Sequence, residues 1–214
     1  MVHHARYEEE VHVKTIVVGP YENNCYILMD PKTGESAIID APAEPEKVLA
    51  AARDTKVRYI FITHNHGDHT GALVAVAEAT GAKVAAHRDD AAKLPRKPDF
   101  QLSHEDRLYV GKVPVQVLHT PGHTPGSVCL VTGGHVFTGD TLFPGGPGRS
   151  ANPEALRQEI DSIRSRLLVL DPATHVYPGH GVGTTIRAAR EEYASFASRK
   201  HLADLHGDVL WLSS

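Results

Sequence analysis

Thr63-His64-Asn65-His66-Gly67-Asp68-His69 places three histidines and an aspartate within seven residues, and the reading of this run decides the fold. It follows the apolar stretch Tyr59-Ile60-Phe61-Ile62, which reads as a buried strand. Loops at strand ends carry chemistry because a rigid scaffold positions them. A chance cluster in a chain with 15 histidines is the competing reading, and the position directly after a strand favours a metal site. In an extended turn His64, His66 and Asp68 share parity and project to one side, whereas His69 points elsewhere. Two ligand sets facing two metal ions are therefore expected. Imidazole nitrogen and carboxylate oxygen suit zinc, and also iron or manganese.

Four donors in one turn call for others from distant loops. His123 lies in His119-Thr120-Pro121-Gly122-His123-Thr124-Pro125-Gly126-Ser127, where two Pro-Gly steps predict a tight turn at the end of a strand over 113–118. Asp140 closes the apolar run Val136-Phe137-Thr138-Gly139, and His180 sits in Tyr177-Pro178-Gly179-His180-Gly181. Any one of these is weak, since a lone His or Asp after a strand is more often a cap or turn residue. Together they repeat one arrangement of strand, turn and metal-type side chain.

This order of motifs, H-x-H-x-D-H, then a histidine in H-T-P-G-H, then G-D, then G-H, resembles the metallo-β-lactamase-fold hydrolase superfamily across nearly the whole chain. The likeness is strongest to its compact glyoxalase II-like (hydroxyacylglutathione hydrolase-like) branch. The resemblance implies an α/β fold, a four-layer αββα sandwich forming one domain over residues 1–214, with metals at one edge between two sheets. It implies that His64, His66 and His123 hold one divalent ion and that Asp68, His69 and His180 hold the other, with Asp140 bridging them. Zinc is the first expectation for both ions. The implied activity is that of a dinuclear metal-dependent hydrolase, a thioesterase cleaving S-2-hydroxyacyl conjugates of a small thiol. Its nucleophile would be a hydroxide bridging the metals, from a water whose pKa falls to about 7, and Asp68 would be the catalytic residue that orients it.

Departures from relatives narrow the branch. The common zinc β-lactamases carry Cys where this chain has Asp140, and both cysteines here, Cys25 and Cys129, lie in strand-like runs. Persulfide dioxygenases resemble the chain around Gly139-Asp140 and Gly148-Arg149 and use one iron, held by the equivalents of His64, His123 and Asp140. A mononuclear iron persulfide (sulfur) dioxygenase is therefore the alternative, although the Pro178-Gly179-His180-Gly181 turn favours the dinuclear hydrolase. A lactonase or phosphodiesterase of the same fold comes third. A non-enzymatic metal-binding module would be signalled by depleted ligands, and all seven are present. Only 34 residues follow His180, too few for the helical domain with which full-length glyoxalase II enzymes grip glutathione. An open pocket is expected, walled by residues 94–104 and 141–151, with Arg149 as a candidate anchor for a substrate carboxylate; a structural salt bridge is the plainer role for that side chain.

At 214 residues and 41% apolar content the chain can bury one substantial core. A net charge of −4 and the lack of any basic run beyond two residues argue against a nucleic-acid partner. No stretch approaches the ~20 apolar residues of a membrane span, and residues 1–10 show no signal-peptide core. Two cysteines are too few for a disulfide framework, so the reducing cytoplasm is expected. The only partner implied is a small-molecule thioester; the oligomeric state stays open.

Strands are expected over 11–19, 24–29 and 36–40, with a hairpin at 30–34. Helices are expected from Pro45 to Arg53, from near Asp68 to Thr80 with Gly81 as its stop, from Asn152-Pro153 to about Leu168, and from Thr184 to about Ser198. The tail over 199–214 is read as packed on the body, because leaving Trp211, Leu210 and Leu212 in water is costly. His3, His4 and His12 are read as solvent-exposed, His87 as a helix cap, and His119 and His175 as supporting residues.

Overall fold

Alternation of side chains along the strands drives two sheets together face to face. The computed structural model describes residues 11–214; His3 and His4 lie outside the described residues. The first sheet takes its strands in chain order: β1 (His12–Val18), β2 (Asn23–Met29), β3 (Glu35–Ile39), β4 (Lys56–Phe61), β5 (Lys83–His87) and β6 (Phe100–Leu102). Its first three strands are antiparallel, and β3 to β6 are parallel. The second sheet holds β7 (Arg107–Val110), β8 (Val113–His119), β9 (Val128–Thr132), β10 (His135–Gly139), β13 (His175–Pro178) and β14 (Thr184–Thr185), in the order β14-β13-β10-β9-β8-β7. A short hairpin, β11 (Leu142–Phe143) with β12 (Gly146–Pro147), follows β10.

Period-two patterning sorts each strand between two cores. On β2, Tyr26 and Leu28 enter the layer between the sheets, where they meet Phe61, Val115, Leu130 and Phe137. Cys25 and Ile27 point the other way, toward α1 (Pro45–Ala52) and α3 (Leu73–Thr80) through Val48, Leu73 and Val76. The outer face of the second sheet, with Cys129, Val136 and Val176, is covered by α5 (Pro153–Ser162) and α6 (Ile186–Ala197) through Leu156, Ile186 and Phe196. Helices on both outsides of two stacked sheets make the four-layer αββα sandwich that the motif order implied. Phe61 and Phe137 are fully buried, and burying a side chain of that size is worth about 1.5–3 kcal/mol.

The helix expected from Asp68 to Thr80 is in fact two, α2 (Gly67–Thr70) and α3. Its backbone is diverted to a neighbouring loop: Ala41 N donates to His69 O at 3.1 Å and Ala72 N donates to Ala41 O at 2.9 Å. Asn152 caps α5 by accepting from Ala155 N, and a wider turn, Ile163–Leu167, continues that helix. Thr185 caps α6, whose first residue is Ile186 rather than Thr184. His87 caps the single turn α4 (Arg88–Ala91) by accepting from Asp89 N. In the tail, Val209 and Trp211 are buried with the second outer core, whereas Leu210 and Leu212 stay exposed. Among the described residues no helix is long and apolar enough to cross a membrane.

Strands β8, β10 and β13 run in the same direction, so their C-terminal ends share one edge. The two sheets are stitched together there by Val128 N to Thr63 O at 2.9 Å and Asn24 N to Gly179 O at 2.7 Å.

Candidate metal centre

The turn after β4 is extended only as far as His66 (φ −66°, ψ 142°), and Gly67 begins α2. Asp68 therefore does not share a side with His64 and His66, contrary to the alternation expected of an extended turn. The helical turn swings it to the side of His69, away from His64 and His66. Ligand-type atoms of His64, His66 and His123 lie within 4.8 Å of one another, and so do those of Asp68, His69 and His180. Asp140 stands between the two groups, with Oδ1 3.2 Å from His69 Nε2 and Oδ2 3.7 Å from His123 Nε2 and 3.6 Å from His180 Nε2. All seven side chains named from the sequence thus meet at one edge of the sandwich. Gly179 is what lets β13 approach, since a Cβ there would fall 2.1 Å from Asp140 Oδ1 and 2.6 Å from His69 Cε1.

The outer nitrogens of four rings are tied to fixed acceptors. His64 Nδ1 lies 3.1 Å from Thr63 Oγ1, whose proton goes to Asp40 Oδ2 at 2.7 Å. His69 Nδ1 is 2.9 Å from Asp40 Oδ2, His123 Nδ1 is 2.9 Å from Arg149 O, and His180 Nδ1 is 2.8 Å from Tyr21 O. Carbonyl and carboxylate acceptors fix the proton on Nδ1 and leave Nε2 with its lone pair aimed inward, the arrangement used to orient ligating histidines.

Those inward lone pairs face one another. His66 Nδ1 and His123 Nε2 are 2.9 Å apart, and His69 Nε2 and His180 Nε2 are 3.2 Å apart. Buried His64 Nε2 and Asp140 Oδ1 have no aligned hydrogen-bond partner among the described residues. Acceptors converging in this way repel unless a cation lies between them. Two nitrogens on one tetrahedral ion at about 2.0–2.1 Å stand about 3.3 Å apart, so the spacings fit divalent metal.

Protonation in the metal-free protein makes the same demand for positive charge. Burial opposes a charged His69, yet Asp140 and Asp40 push it up to about 10. Burial alone would raise Asp140, but the His69 ring 3.2 Å away and the other facing imidazoles hold it far below the usual carboxylate range. Burial pushes His64 and His123 down, which favours the neutral ligating form.

Several supporting residues escaped sequence reading. Asp40 orients His69 and also accepts from Thr63 N at 2.8 Å. Asn23 Nδ2 donates to Asp68 Oδ2 at 3.0 Å. Asp90, buried on α4, accepts from Asn65 N at 2.9 Å, Thr124 Oγ1 at 2.7 Å and Gly126 N at 2.9 Å, and so ties the His64–His66 turn to the His123 turn. Asp40 had a signal, an acid at a strand end like Asp140. Arg149 approaches Asp208 at 3.6 Å with both side chains largely exposed. His119 bonds Pro125 O at 2.9 Å and stacks on His87 at 3.9 Å. That pair forms a poor metal site with Asp89, because in-plane lone pairs of parallel rings do not converge. His175 opens β13, with its ring 6.1 Å from that of His135.

Residues 15–180 match the family model of the Metallo-beta-lactamase superfamily. The chain belongs to this superfamily. A hydroxyacylglutathione hydrolase of Anaeromyxobacter dehalogenans is 38% identical over 162 residues, which cover 75% of this chain and 62% of that protein. The chain thus spans less than two thirds of that relative's length. Among solved structures, ETHE1 from Myxococcus xanthus is similar with a TM-score of 0.79 and 30% identity, covering 88% of this chain and 86% of that one. The di-iron-bound form of TTHA1623 has a TM-score of 0.71 and 34% identity, covering 83% and 96%.

Proposed function

We propose that the chain is a dinuclear metal-dependent hydrolase, a thioesterase of glyoxalase II type acting on S-2-hydroxyacyl conjugates of a small thiol. The observation that carries this reading is the meeting of two three-residue donor groups on Asp140, which is more than one four-coordinate ion needs. In that role His64, His66 and His123 hold one ion, Asp68, His69 and His180 the other, and Asp140 both. Similarity to the hydroxyacylglutathione hydrolase and to the di-iron form of TTHA1623 supports it.

When bound, a pair of divalent ions would lower the pKa of water toward about 7 and stabilise charge developing on a carbonyl oxygen. Asp68, partly exposed and held by Asn23, orients the attacking water toward the thioester carbonyl. Addition of water and cleavage of the C–S bond yield a carboxylic acid and a thiol. An open groove of about 560 Å³ beside His123, lined by Gly122, Ala151, Asn152 and Gln158, offers room for the thiol carrier.

Zinc is the first choice of metal, with iron or manganese as alternatives. The second reading, a mononuclear iron persulfide dioxygenase, is favoured by the similarity to ETHE1. Metal analysis of protein purified without chelator, with assays on thioesters, persulfides, lactones and β-lactams, separates the readings. Two ions with thioester turnover is the expected result; one iron with oxygen uptake on persulfides overturns it.

A further inference from the structure

One of the seven candidate ligands owes its orientation to a remote segment. Arg149 O, which accepts from His123 Nδ1, belongs to a loop rich in glycine whose own hairpin strands are two residues each. So short a pairing is not stable by itself. Ser150, next in the chain, forms an antiparallel bridge with Gly207: Ser150 N donates to Gly207 O and Gly207 N to Ser150 O, each at 3.1 Å. From there the tail runs back along the loop. Trp211 N donates to Gly145 O at 2.7 Å, while Gly145 N is held by Glu192 Oε2 at 2.8 Å. The tail is itself anchored, since Trp211 is fully buried against Tyr193 with ring centroids 5.4 Å apart, and Arg199 donates to Trp211 O.

We propose that residues 207–211 are a positioning strap for His123, fixing the loop over 145–150 so that Arg149 O holds the ring with Nε2 toward His66. His64, His69 and His180 are oriented by Thr63, Asp40 and Tyr21, none of which touches the strap. The strap therefore bears directly on one metal position; the loop's contacts toward the other, Phe143 with its ring centroid 6.4 Å from that of His180 and Gly148 beside Asp140 O, do not run through Arg149 or Ser150. Arg149 serves the site through its carbonyl, with its side chain turned to Asp208. The inference rests on the metal-binding part of the proposed function and is independent of the substrate.

The test uses the full chain with Gly207→Pro, which removes the N–H given to Ser150 and cannot adopt the φ of +85° found there. Chelator competition measures each metal affinity, cobalt substitution reports each site by visible absorption, and melting of the stripped protein reports the fold. The expected result is about 10–100-fold weaker binding at His64, His66 and His123, with a shifted cobalt band for that site and an unshifted one for the other. Ser150→Ala, which removes the Gly207 N to Ser150 Oγ bond of 3.0 Å, should act in the same direction more weakly. Leu202→Ala, on an exposed side chain, should change nothing. Equal weakening at both sites, or a lower melting temperature with unchanged metal affinities, would overturn the strap and leave the tail a packing element. Should the wild type hold one ion at His64, His66 and His123, the two-metal reading fails while the strap still predicts loss of that ion from Gly207→Pro.

Discussion

One half of the candidate centre is three histidines and the other is an aspartate and two histidines, and their braces differ in kind. Around His64, His66 and His123 the supports are a hydroxyl, a main-chain carbonyl and the amide-gripping Asp90, which no ring touches directly. Around Asp68, His69 and His180 a buried carboxylate, Asp40, bonds straight to a ring, and a second acid is itself one of the donors. The first half depends on neutral imidazoles held by loop geometry; the second carries net negative charge and, without metal, keeps a proton on His69. The second half is thus the more sensitive to charge and tautomer, through His69, while His123 in one half and His180 in the other both rest on main-chain carbonyls.

The largest effect should come from the residue the halves share. Asp140→Ala is expected to lose more activity and bound metal than His69→Ala or His180→Ala, because its carboxylate faces rings from both groups. Equal losses for all three, at unchanged metal content, would remove the bridging role.

Next is Asp40→Asn. The amide can donate to His69 Nδ1, which shifts the ring proton to Nε2, where the lone pair is needed. About 10–100-fold weaker metal binding in the Asp68 half is expected by chelator competition, with a smaller loss in the other half, which Asp40 reaches only through Thr63 and His64. Asp90→Asn should do the reverse, since its amide can no longer accept from all three donors. Equal loss of both ions in either variant would dissolve the distinction between the halves.

A smaller effect should appear with pH in the metal-free protein. His69 is raised from 6.5 to about 10 in the folded state, so its contribution is full below pH 6.5 and fades as pH climbs through 10. The melting temperature of stripped protein should therefore fall from pH 7 to pH 10 more steeply than that of metal-loaded protein, in which the cation replaces the proton. Parallel curves for the two forms would contradict this. Smallest is Arg149→Ala. An anchoring guanidinium predicts a higher KM for charged thiol carriers and an unchanged one for a neutral thioester, whereas equal change on both, with a lower melting temperature, returns the side chain to a structural role beside Asp208.

The turn at 63–69, the Pro-Gly frame around His123 and the acids and histidines at strand ends were legible because they are local. The cap at Asn152 was equally plain, being a short-range pattern in side-chain chemistry, whereas the last helix begins at Ile186 after the cap Thr185 rather than at Thr184. Parity went wrong at Asp68 because it assumes extended backbone, and only the bonds from Ala41 and Ala72 to the neighbouring loop reveal a helical turn there.

Residue types, order and spacing by themselves determined the chain's family, its sandwich fold and which side chains are suited to hold metal. Tertiary structure alone decided which nitrogen of each ring faces inward, which donors stand together, and that Asp40, Asp90 and the tail hold them there. The reason is physical: a metal-type side chain announces its chemistry locally, whereas the orientation of His69, His123 and His180 depends on single hydrogen bonds from residues 26 to 159 positions away, which leave no periodicity in the sequence.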